Sequence, residues 1–218
     1  MSAGLLPYPD RAAAGQALAD LLLGILGGPD LSGSDVVVLG LPRGGVPVAA
    51  EVARALGAPL DVLVVRKLGV PWQPELAMGA VASGGVRVLN PDVLGTSRVT
   101  EHELATVTER ELAELDRRER AYRGDRPPLS VAGRTVVVVD DGLATGATAA
   151  AAVRAVRARG PGTVMLAVPV GVAETVRRLR GTADEVVCAA TPAKFGAVGR
   201  HYLDFEPVSD DEVRAALR

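Results

Sequence analysis

Residues 136–148 read VVVVDDGLATGAT. Four consecutive valines describe a strand that is apolar on both faces, the pattern of a central parallel strand. Asp140 and Asp141 stand where that strand ends. The turn after them, built mostly of glycine, alanine and threonine, feeds a helical run over 147–159. Backbone amides and the hydroxyls of Thr145 and Thr148 therefore gather at a helix N-terminus, which favours an anion. Two adjacent carboxylates at a buried strand end are costly unless they face a ligand or a cation. A Walker A loop is excluded because Ala147 stands where its lysine belongs, and GxGxxG does not occur. The plain alternative is a tight turn with a capped helix.

Outward from this stretch the same grammar repeats. Residues 35–41 predict a strand that runs into Pro42-Arg43-Gly44-Gly45 and then a helix over 46–56 stopped by Gly57. Residues 60–65 predict a second strand ending at Arg66-Lys67, and 68–74 (LGVPWQP) lack either periodicity and predict a mobile loop. Segments 79–82 and 86–89 flank Ser83-Gly84-Gly85, a hairpin signal. Thr100 and Glu103 have capping-box spacing and open a helix to about Arg123, whose run ERELAELDRRER reads as a solvated face, with a dimer contact as its other reading. Before the opening strand, residues 11–26 show helical spacing and a stop at Gly27-Gly28-Pro29. After it come a strand at 163–170, a helix at 174–180, a strand at 184–190 and a capped helix at 209–217. This alternation predicts an α/β fold with a doubly wound, mostly parallel central sheet and helices on both faces, its ligands at the carboxyl edge of the strands.

Composition narrows the classes. With 48% hydrophobic and 23% charged residues the 218-residue chain has the make-up of a globular protein with a sizeable core. A net charge of −2 argues against nucleic acid as a main partner, and no apolar run reaches membrane-spanning length. The N-terminus lacks a basic region followed by an apolar core, so a cytoplasmic protein is expected. Cys188 is alone in an apolar stretch and reads as a reduced core thiol. His102 and His201 form no triad or metal pattern. Only Lys67 and Lys194 are lysines, and both fall in segments suspected of ligand contact.

The stretch 136–148 resembles the phosphoribosyl diphosphate (PRPP) motif of type I phosphoribosyltransferases, a hydrophobic strand, two acids and a threonine-rich loop. The resemblance extends over about residues 36–205 and implies one such domain over 1–218, with a core near 34–190, a hood from the N-terminal helix and 191–218, and a flap near 67–90. It implies PRPP and a nucleobase-like acceptor as substrates, Mg2+ as cofactor, and a place in nucleotide metabolism such as purine salvage. Asp140 and Asp141 would fix the ribose hydroxyls and, with Asp204, assist the metal, largely through water or PRPP. Ala144, Thr145, Gly146, Ala147 and Thr148 would hold the 5′-phosphate, and Arg43, Gly44 and Gly45 the diphosphate. In the family the loop at 42–43 often holds a cis peptide that is not X-Pro, and Arg66 and Lys67 would stabilise the leaving diphosphate. The segment TPAKFGAVGRHYLDF, residues 191–205, is similar to the base-binding region of 6-oxopurine phosphoribosyltransferases, which places Phe195 on the acceptor base with Lys194 beside it. An aromatic cap on the sheet edge is the bland reading of the same residues. One departure stands out: Ala144 occupies the position where the 6-oxopurine enzymes carry an acidic acid/base group. A PRPP- or nucleotide-sensing protein without turnover is therefore the rival reading, and an unrelated flavodoxin-like phosphate binder a weaker third.

Overall fold

The computed structural model describes residues 6–27 and 35–218. Five strands, β1 (Val36–Gly40), β2 (Leu60–Val62), β6 (Thr135–Val139), β7 (Thr163–Val170) and β8 (Glu185–Ala190), form a wholly parallel sheet in the order β2-β1-β6-β7-β8. β1 pairs with β6 from Val36 opposite Thr135 to Gly40 opposite Val139. The chain first moves outward from β1 to β2, then returns to the other side of β1 and continues outward to β8. Between β1 and β6 the winding reverses, and the loops leaving the two strands diverge to opposite faces, which opens a crevice at their carboxyl ends.

Alternation along the central strands explains the two faces. Val36, Val38, Val137 and Val139 pack under α1 (Arg11–Leu26) and α2 (Gly45–Leu56). Val37, Leu39, Val136 and Val138 pack under α5 (Ala147–Arg157) and α6 (Ala173–Leu179). Because every valine of the opening motif is buried, the motif reads as a continuous apolar run rather than an alternating one. The helix at the N-terminus spans 11–26 as expected and is closed by Gly27 in the left-handed region, while the Gly28-Pro29 part of its stop signal lies outside the described residues.

A second sheet corrects the reading of residues 60–74. β2 ends at Val62, and the segment expected to be a mobile loop is two antiparallel strands, β3 (Val65–Val70) and β4 (Gln73–Ala82), joined by the turn Pro71-Trp72. Gly69 permits this, since a Cβ there would run into the backbone of Pro74, and the register slips on either side of it. β5 (Val86–Leu89) completes the sheet through the expected Ser83-Gly84-Gly85 turn, where Gly84 and Gly85 both have positive φ.

The short helix α3 (Pro91–Ser97) was not foreseen, whereas α4 (Glu101–Arg123) carries the expected capping box between Thr100 and Glu103. Its charged run is only partly solvated. Glu114 pairs with Arg117 and Arg118 in water, but Glu111 within the run is buried, as is Arg123 beyond its end. Arg123 is held by Asp61 at 3.0 Å and by Glu119 at 3.1 Å. Buried charges survive here because each has a partner. α7 (Asp210–Ala216) follows a second capping box at Ser209 and packs on α2 and α4.

Candidate active site

The loops leaving β1 and β6 meet at the reversal of the sheet. The amide of Leu41 donates to the carbonyl of Val139 at 2.9 Å, so the first loop lies against the end of β6. The Pro42–Arg43 peptide is cis, as expected from the resemblance. Gly44 and Gly45 are required by close approach: a Cβ on Gly44 would overlap the carboxylate of Asp141, and one on Gly45 would come within 2.7 Å of the Val139 carbonyl. Arg43 points outward from this loop, half-exposed, with Asp210 of α7 at 3.7 Å.

The two acids differ sharply in partners. Asp141 accepts from Nε of Arg11 at 3.1 Å, in a pair that is mostly shielded from water. The same guanidinium donates to the carbonyl of Glu206 at 2.9 Å and lies 3.9 Å from the centre of the Phe205 ring. The hydroxyl of Tyr202 donates to the backbone carbonyl of Asp141 at 2.5 Å. Asp140 makes no direct ion pair among the described residues; its Oδ1 accepts the amide of Asp141 at 2.9 Å, and the residue lines a cavity of about 160 Å³. Burial first, and the neighbouring Asp141 second, push the Asp140 carboxyl up to about 8. Burial also raises Asp141, against the opposing pull of Arg11. Asp140 is therefore the less engaged of the two acids, and Asp141 joins the loop to α1 and to the C-terminal segment.

That cavity is walled by Gly142 to Ala149 and Val198. Gly146 adopts φ 74° where only glycine is at ease, and α5 starts at the next residue. The first-turn amides of α5 have no carbonyl of their own helix to bond, so they point a set of donors into the cavity, at the positive end of the helix. The loop is fixed from behind by α6: Thr175 donates its hydroxyl to the carbonyl of Ala144 at 2.8 Å, and Arg178 donates to that of Thr145 at 2.5 Å. Desolvated acid, small side chains and free amides suit a phosphate ester bearing hydroxyls.

Other predicted site residues lie elsewhere. Arg66 and Lys67 sit within β3 rather than at a strand end; Arg66 pairs with Glu111 at 2.6 Å and Lys67 with Glu75 at 3.1 Å, and both line a cavity that shares no residue with the cradle. Phe195 is buried, its ring 5.1 Å from that of His201 and clustered with Tyr8 and Tyr202, so in this conformation it caps the sheet edge and offers no face to a base. Lys194 is exposed. Asp204 is exposed too, and accepts the amide of Glu206 at 3.1 Å. Among the described residues no three acids, histidines or cysteines cluster as metal ligands, so Asp204 does not join Asp140 and Asp141. The segment 191–205 reaches the cradle through Val198 instead, which packs on Gly142. Arg11, Tyr202 and Val198 were missed from the sequence. Arg11 alone left a signal, a cation in the first turn of a helix, where the dipole disfavours it.

The comparisons with known proteins agree with this architecture. The phosphoribosyl transferase domain profile matches residues 8–204. Two Mycobacterium tuberculosis proteins, from strains CDC 1551 / Oshkosh and H37Rv, provisionally named phosphoribosyl transferases, are 55% identical over 210 residues. The match takes in 96% of this chain but 46% of theirs, so the chain spans about half the length of these relatives. The crystal structure of TT1426 from Thermus thermophilus is 46% identical, covers 97% of this chain and 98% of its own, and superposes with a TM-score of 0.86. The chain belongs to the phosphoribosyl transferase domain family.

Proposed function

From that membership we propose that the chain transfers the 5-phosphoribosyl group of PRPP to a nucleobase-like acceptor. A nitrogen of the acceptor forms the bond to ribose C1 as the bond from C1 to the diphosphate oxygen breaks, and the diphosphate leaves with the electron pair. The observation that supports this most is the meeting of Asp140 with the amides of residues 144–148 at the reversal of the sheet. In this reading the α5 amides and the threonine hydroxyls hold the 5′-phosphate, and Asp140 accepts hydrogen bonds from the ribose hydroxyls. The glycines at 44 and 45 let diphosphate oxygens approach the backbone, with Arg43 turning inward from its exposed pairing to meet them. Such a site works by orientation and by placing charge before the reaction starts.

A magnesium ion fits the residues present. Asp140 is a partly buried carboxylate without the direct ion pair that Arg11 gives Asp141, and a metal held mainly by PRPP and water would find its protein contact there. When bound, the ion neutralises diphosphate charge. The domain so formed runs over the whole chain, with α1 and residues 191–218 as its hood and 67–90 as its flap.

A second reading, PRPP or nucleotide sensing without turnover, is favoured by two observations. Ala144 leaves the acid/base position of the 6-oxopurine enzymes empty, and Arg66 and Lys67 are engaged with Glu111 and Glu75. The test is a panel of nucleobases with PRPP and magnesium, scored by diphosphate release, beside calorimetry of PRPP alone. Release with one base supports the transferase, binding without release supports the sensor, and no heat at millimolar PRPP overturns both.

A further inference from the structure

A cavity of about 660 Å³ lies between the β3–β4 hairpin and α4 and has no residue in common with the cradle. Its size is that of a small-molecule site, whereas the cradle's 160 Å³ suits a phosphate and little more. Val70, Pro71, Pro74 and Val107 make the apolar part of its wall, and charged and polar side chains line the rest.

The charges at its edge are ordered around one residue. The buried carboxylate of Glu111 is gripped from two sides, by Nε and Nη2 of Arg66 at 2.9 and 2.6 Å, and by Nε and Nη2 of Arg110 at 3.1 and 3.0 Å. A guanidinium has five N–H donors, so each of the two keeps donors to spare after serving Glu111. Glu111 thus aims two guanidiniums and cancels only one of their charges. Lys67 adds an ammonium whose partner, Glu75, is 94% exposed and readily exchanged. Glu103, the remaining acid of the lining, is committed to the helix cap, where it accepts from both the amide and the hydroxyl of Thr100. Arg66, Lys67 and Arg110 balance Glu75, Glu103 and Glu111 in number, with His102 also on the lining, so the site holds no net positive excess for the several charges of a diphosphate.

We propose that this cavity is a second ligand site, for a small apolar molecule bearing a single carboxylate. The apolar body lies between the hairpin prolines and Val107, and the carboxylate takes the spare donors of Arg66 and Arg110 in the fork geometry that guanidinium favours. The turn that supplies Pro71 also carries Trp72, 58% exposed and the chain's one tryptophan, next in sequence to a lining residue though not on the lining itself. The inference is independent of what the cradle binds.

Trp72 provides the readout. Its emission is followed, with calorimetry in parallel, as 4-tert-butylbenzoate is added to the full chain. The neutral analogue 4-tert-butylbenzyl alcohol is titrated alongside, and the acid is repeated with saturating ribose 5-phosphate and with Arg110→Gln. Arg110 is a solvated residue, 72% exposed, whose replacement should leave the fold intact. The expected results are saturable binding of the acid, at least tenfold tighter than the alcohol, weakened at least tenfold by Arg110→Gln and unmoved by ribose 5-phosphate. Absence of a saturable signal at millimolar acid overturns the proposal, as does equal affinity for the alcohol. Displacement by ribose 5-phosphate overturns it too, by moving the acid to the cradle. The comparison of acid with alcohol uses the unaltered chain and stands even if the variant fails to fold.

Discussion

The unequal partners of the two acids predict that replacing either by asparagine will act in opposite directions on stability. Asp140 has its folded-state carboxyl raised from the ordinary range to about 8, mainly by burial. A folded state that holds a proton more tightly than the unfolded chain is destabilised as pH rises from about 4, and the penalty is complete above about 8. Asp140→Asn removes that penalty while keeping the shape and the acceptor for the Asp141 amide. The variant should melt with the parent below pH 4 and above it at pH 8.5, the gap opening across the interval between. Asp141→Asn breaks the ion pair with Arg11, 3.1 Å long and largely shielded, and leaves a guanidinium half-satisfied. Breaking a fully buried pair costs about 3–5 kcal/mol; with residual exposure, and with the burial penalty on the Asp141 carboxyl relieved by the same change, a net loss of about 1 kcal/mol is expected. Ligand affinity should follow the other order. Losing the charged acceptor at the ribose hydroxyls should weaken PRPP by ~1.5–3 kcal/mol in Asp140→Asn, roughly tenfold to a hundred-and-fiftyfold. Thermal melts at pH 4, 6 and 8.5 with PRPP calorimetry at pH 8 test both halves. The reasoning fails if Asp140→Asn is the less stable protein at pH 8.5, or if it binds PRPP like the parent.

Three further outcomes follow from the packing. Gly44→Ala should leave α2 and the sheet folded but lower PRPP affinity at least tenfold, measured by calorimetry, because the added methyl displaces the loop or the carboxylate of Asp141. Phe195→Ala should lose about 3–5 kcal/mol in chemical denaturation, since the ring is buried among Tyr8, Tyr202 and His201. A variant of native stability with a changed acceptor KM would instead return Phe195 to the base site. Cys188, whose thiol burial pushes up to about 11, should react with iodoacetamide at pH 8 at least tenfold more slowly than free cysteine, followed by mass spectrometry.

Where sequence and structure agree, one local signal sufficed. The valine run, the glycines at 44, 45 and 146 and the two capping boxes each state a backbone requirement within a few residues, and the parallel sheet, both strand-end loops and α4 follow from them. The errors have tertiary causes. Residues 68–74 looked irregular because the feature that makes them strands is the contact of Gly69 with Pro74, across a bulge that breaks the period-two pattern. Glu111 looked solvated because its partner Arg66 lies on a strand far off in the chain. The part played by Arg11 is invisible locally for the same reason: its partner is Asp141.

The pairing of β1 with β6 also bears on how the chain reaches this state. Val36 lies beside Thr135, with α2, the whole second sheet and α4 strung between them. Closing so long a loop brings an entropic cost before any contact across it gives a return, and parallel pairings of this kind are slow to nucleate. The β3–β4–β5 meander and α4 need only near neighbours, so they should gain hydrogen-exchange protection earlier in refolding than the central strands. During synthesis, β1 must wait with an unpaired apolar edge until the DD turn has emerged. The crevice is then among the last features to be assembled, and Asp140 meets Gly45 only when the topology is complete.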